Sequence, residues 1–165
     1  MSAFFRALAQ PEYVHTLLNP LPVYGLAIAW IVLVISVIVH NRVAQVVALA
    51  LVLVCSASAW PVDKFGKEAK DRVISMENES GALWIEEHEH RADQLVLVFY
   101  FLAIVAAAAI FAPIKWPRSG VPLAVAVTVL GAAALGCGAY IAYAGGKIRH
   151  HEFRLEPPPN RTPAP

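Results

Sequence analysis

The densest group of side chains able to bind a metal or move a proton is Glu86-Glu87-His88-Glu89-His90, with Asp93 after it. On a helix, spacings of four and three put Glu86, His90 and Asp93 on one face as a weak candidate metal site, and turn His88 elsewhere. Glu87-x-x-His90 also matches half of a carboxylate di-metal motif. Such centres need a second copy and further inward-facing glutamates. None of the four long apolar runs holds an acid that could supply them, which counts against a di-metal site.

A second cluster, His150-His151-Glu152, follows the Gly145-Gly146 pair, and His15 precedes the first apolar run. Two imidazoles on facing helices can ligate a b-type haem, and two or three can hold copper or zinc. The expected pair is His90 with His151, with His88, His150 and His15 as alternates. Neither CxxC nor CxxCH occurs, so covalent c-type haem is excluded. Two plainer readings stay open: interfacial histidines that are solvated or linked to acids, and a docking or pH-responsive surface. No cofactor is required by the sequence; haem b or a transition metal is the group these residues would suit.

The elements that must position these groups are apolar. Hydrophobic residues make up 58% of the 165-residue chain, charged residues only 15%, and mean hydropathy is +0.58. Residues 21–39, 43–60, 94–114 and 121–144 contain no Lys, Arg, Asp or Glu. Each is close to the ~20 residues that cross a hydrocarbon core of ~30 Å. In lipid the backbone must satisfy its own hydrogen bonds, and no apolar/polar alternation suggests strands, so these runs read as helices. The expected fold is an all-α transmembrane four-helix bundle spanning residues 1–154, with a proline-rich tail over 155–165. The turns at 40–42 and 115–120 are short and make two antiparallel hairpins.

This topology puts both termini and the 61–94 loop on one side. That side receives five of the six histidines, all 12 acids and ten of the 13 bases. By the positive-inside rule the expected orientation puts the termini on the cytoplasmic face of a bacterial inner membrane. The reverse stays open, because the turns on the other side are purely basic. The net charge of +1 gives no reason to expect nucleic acid. Residues 2–10 read as a short interfacial helix with Phe4, Phe5 and Leu8 toward lipid. Val62, Phe65, Ala69, Val73 and Met76 mark an amphipathic surface helix in the central loop. Ser80 is the expected N-cap of the third helix, which would run unbroken from near Ala82 and raise Trp84–Arg91 above the bilayer. Ala134, Gly138, Ala142 and Gly146 form a small-residue stripe, read first as packing within the chain and otherwise as a contact with a partner.

Three segments carry a resemblance: Asn19-Pro20-Leu21-Pro22-Val23-Tyr24, Glu89-His90-Arg91-Ala92, and Ala144-Gly145-Gly146-Lys147-Ile148-Arg149-His150-His151. Together they resemble a family of small bacterial four-helix integral membrane proteins of unknown function. Its members open on His-Pro-x-x-x-His and end on Gly-Gly then Tyr-x-His, and some are fused to or encoded beside Rieske or c-type cytochrome modules. The resemblance covers about residues 15–152. It implies the four-helix fold and a redox context. Asn19 and Tyr24 stand where the family has its opening histidines, while His90 and His151 are kept. The function expected is a non-catalytic membrane subunit or anchor of a respiratory or photosynthetic electron-transfer complex. It would contact the lipid bilayer and dock other membrane subunits or a redox protein through its histidine- and acid-rich face. A stand-alone b-type cytochrome or metal-binding oxidoreductase is the alternative. A transporter fits least, because the spans carry no ionisable path.

Overall fold

The computed structural model describes residues 3–159. Its helices, in chain order, are α1 (Ala3–Leu8), α2 (Pro11–Leu18), α3 (Leu26–Ile38), α4 (Arg42–Ala57), α5 (Ala59–Ile74), α6 (Glu79–Lys115) and α7 (Gly120–Arg149). No strand occurs among the described residues. Four helical runs are long and apolar enough to cross a membrane: Pro11–Ile38, Arg42–Ile74, Glu79–Lys115 and Pro117–Arg149. The all-α four-helix bundle expected from the apolar runs is the fold observed, and it is that of a multi-pass membrane protein.

The centre of the bundle mixes small residues (Ala29, Ala48, Ala106, Ala109 and Ala134) with large ones (Leu26, Leu33, Leu49, Leu102 and Phe99), while Ile28, Ile35, Leu97, Ile104 and Phe111 face outward. The small residues let the backbones approach, and the outward ones meet acyl chains. Trp30 shows the same logic. Its indole donates to the Thr128 carbonyl at 2.8 Å, in space left by Gly131, where a Cβ would lie 2.7 Å from the ring. Pro113 cannot donate to the Ala109 carbonyl one turn back, and Arg42 of α4 donates to it instead at 3.1 Å.

The bundle continues beyond the lipid as a second tier. Helix α6 has 37 residues, about 55 Å of helix against a core of about 30 Å. The amphipathic surface helix is α5. It continues α4 in one helical run and stands against α2 and α6. Below Ser58, therefore, α3, α4, α6 and α7 pack together; above it, α2 and α5 take the places of α3 and α4. Pro20 precedes and Pro22 lies within the matching step from α2 to α3, a single π-helical turn over Leu21–Gly25. The N-cap of α6 is Asn78, whose side chain accepts from the Gly81 N–H at 2.7 Å. This corrects the expectation of Ser80, which lies inside the first turn. Helix α1 leaves Phe4 and Phe5 exposed, as an interfacial helix would. Of the proline-rich tail, residues 155–159 are described and lie outside the helices; 160–165 fall outside the described residues.

Candidate cofactor cavity

The second tier holds an open-sided cavity of about 860 Å³. Its walls come from α2, α5, α6 and α7, and it contains two of the six histidines in close approach. His15 of α2 and His88 of α6 have ring centres 6.5 Å apart and ring planes at 87°. His88 lies seven positions before Leu95, so the pair stands about 10 Å outside the lipid-spanning part of α6.

Each ring is seated by the same device. His15 Nδ1 lies 2.8 Å from the Val62 carbonyl of α5, and His88 Nδ1 lies 3.0 Å from the Ile141 carbonyl of α7. Four residues on from each accepting carbonyl is a glycine. A Cβ on Gly66 would lie 3.0 Å from the His15 ring, and a Cβ on Gly145 3.0 Å from the His88 ring. A side chain at either position would press on the imidazole, so glycine lets the ring lie against the helix and reach a carbonyl already used by the helix itself. With Nδ1 donating to a carbonyl, the tautomer is fixed and Nε2 carries the free lone pair.

Ion pairs brace the cavity wall. Lys70 of α5 meets Glu86 at 2.9 Å and also Glu89 of α6, and Lys67 meets Asp93 at 2.8 Å and Asp63 at 3.1 Å. On the other side of α6, Arg91 and Glu87 form a buried pair at 2.7 Å, with Arg91 7% and Glu87 4% exposed. Arg91 also donates to the Tyr140 carbonyl at 2.9 Å and lies over the Tyr140 ring, which ties α6 to α7. Lys147 is 1% exposed, held between the Trp84 and Tyr143 rings and paired with Glu156 of the tail. Arg154 then anchors the chain after α7 by donating to the Lys147 and Ile148 carbonyls.

The residues singled out by sequence are distributed as follows. His90 is half-buried, and neither it nor His151 lines the cavity. His151 is exposed, 3.3 Å from Arg154. His150 lines the cavity edge, paired with Glu152 at 2.9 Å and stacked on Phe153. His90 and His151 are therefore not brought together around the cavity, and the histidines that meet there are the alternates His15 and His88. For the proposed metal face, Glu86 and Asp93 are engaged by Lys70 and Lys67, and among the described residues no group of three or more His, Cys, Asp or Glu is placed to hold a metal ion. The small-residue stripe divides: Ala134 is buried in the bundle, while Gly138, Ala142 and Gly146 line the cavity.

Gly66, Gly145, Val62 and Ile141 went unrecognised as supports for the histidines. A signal for His88 was present. Ile85, His88, Ala92, Val96 and Phe99 follow one another at spacings of three and four, so His88 shares a face with the apolar core and His90 does not. Of the two positions where the resembled family has opening histidines, Asn19 lines the cavity and Tyr24 is 73% exposed on the outside. No family model, no curated protein and no solved structure matches this chain.

Proposed function

We propose that the chain is a non-catalytic multi-pass subunit or anchor of a respiratory or photosynthetic electron-transfer assembly, seated in a bacterial inner membrane with its termini in the cytoplasm. One observation carries this reading. A cavity with two imidazoles 6.5 Å apart opens at the end of the bundle where the ionisable residues are gathered. Such a chamber suits a redox group that exchanges electrons with a partner docked above it. The partner is another membrane subunit or a redox protein, met at the histidine- and acid-rich face. The lipid-spanning runs lack Lys, Arg, Asp and Glu, which argues against a path for ions or protons through the bilayer.

Purification of the tagged chain from native membranes in mild detergent tests the reading. The expected result is recovery at fixed stoichiometry with a larger redox complex. Migration alone as a stable monomer would overturn the subunit reading. The free lone pairs on His15 and His88 favour a second one, a stand-alone b-type cytochrome, for which migration alone is the expected behaviour.

A further inference from the structure

We infer that the cavity binds one b-type haem, with His15 and His88 as the two axial ligands, each seated on a carbonyl–glycine pair of a neighbouring helix. The inference rests on the reading of the cavity as a cofactor chamber and names the cofactor.

Ligand number comes first. A zinc or copper ion held by protein alone takes three or four side chains. Of the three imidazoles that line the cavity only those of His15 and His88 approach each other, and no third ligand is grouped with them among the described residues. A tetrapyrrole brings four nitrogens of its own and asks the protein for two ligands on opposite faces. Spacing agrees. With metal–imidazole bonds of about 2 Å and about 1 Å more to each ring centre, two rings on opposite sides of one ion stand roughly 6 Å apart. The observed separation is 6.5 Å.

The seats point the same way. Histidines that bind metals through Nε2 commonly donate Nδ1–H to a carbonyl, which fixes the ring and raises the basicity of the ligating nitrogen. Here that arrangement occurs twice, on α5 and on α7, with the same spacing of four between carbonyl and glycine. Two matching supports around one cavity are hard to account for as packing alone, because a glycine inside a helix costs roughly 1 kcal/mol relative to alanine. The volume, about 860 Å³, lies in the range of sites that enclose small organic ligands and is far larger than an ion needs. Ala92, Val96 and Phe99 supply apolar wall, and Arg149, paired with Glu77 at 3.1 Å, stands at the edge as the cation that a propionate would meet. Neither CxxC nor CxxCH is present, so the haem would be held by these contacts and not by thioethers.

The test is the full chain expressed in detergent-extractable membranes with haem supplied. The expected preparation carries one haem per chain, with a Soret band and sharp α and β bands on reduction. His15→Ala and His88→Ala should each abolish the low-spin spectrum. If either fails to fold, His88→Met serves instead, with haem retained and the midpoint potential raised. Ring planes at 87° further predict a strongly anisotropic low-spin ferric EPR signal. A colourless chain would overturn the inference. So would stoichiometric zinc or copper without a Soret band, or a spectrum unchanged in both alanine variants. A colourless chain that still co-purifies with a redox complex would overturn the haem alone. A haem-loaded chain without partners would uphold the haem and overturn the subunit reading.

Discussion

A glycine inside a helix needs a reason, and at Gly66 and Gly145 the reason is an imidazole lying where a methyl group would go. Alanine at 145 would press on the His88 ring by a few tenths of an ångström and weaken its bond to the Ile141 carbonyl, while improving the intrinsic helix propensity of α7 by roughly 1 kcal/mol. The two effects separate by measurement. Gly145→Ala should leave the melting temperature of the cofactor-free chain unchanged or raised. It should weaken haem retention about fivefold, the equivalent of about 1 kcal/mol for one hydrogen bond. Unchanged haem retention would show that the seat does not matter. At this scale the sequence was only partly legible. Histidine-rich clusters advertise chemistry, but His88 and His90 lie on different faces of one helix. Only the phase of Ile85, Ala92, Val96 and Phe99 says which of them turns inward. His15 had no such neighbour pattern, because its partner carbonyl comes from a helix 47 residues away in sequence.

Helix ends and junctions decide how the second tier stands. Asn78 caps α6, and its loss should cost about 1 kcal/mol. Asn78→Ala should therefore lower stability in detergent unfolding, whereas Ser80→Ala should change it little; equal effects would contradict the observed cap. Both residue types cap helices well, so the choice between them was not readable from composition. It depends on where the loop turns. The joint between α4 and α5 was hidden for a related reason: the apolar signal ends near Trp60, although the helix does not. Beyond α7, the Glu156 carboxyl is held below its ordinary range, first by the hydrogen bond from Lys147 and then by that from Tyr143. A carboxylate lowered in the folded state stabilises above its unfolded value and loses that contribution as the pH falls through the folded one. The tail should therefore stay docked at neutral pH and detach only below the ordinary carboxylate range of about 4. Glu156→Gln should detach it at pH 7, and faster cleavage of the tail by an added protease reports both. Cleavage equally slow in that variant would contradict the anchoring role of the pair.

For the whole molecule, the bilayer explains most of what sequence made plain. Four uncharged runs of spanning length leave one all-α topology, because lipid forbids unpaired backbone. What lay above the lipid was harder to foresee. No histidine lies within the four uncharged runs, so a haem inside the lipid would find no imidazole ligand. The structure meets that difficulty by extending the bundle: α2 and α5 replace α3 and α4 above the bilayer, and the cavity forms in this upper tier. The central claim is that His15 and His88, and not His90 and His151, are the working pair. Reduced-minus-oxidised difference spectra of the four alanine variants, recorded side by side on folded protein, test it most directly. The account predicts that the b-type signal is lost in His15→Ala and His88→Ala and kept in His90→Ala and His151→Ala. Loss in the second pair with retention in the first would contradict it.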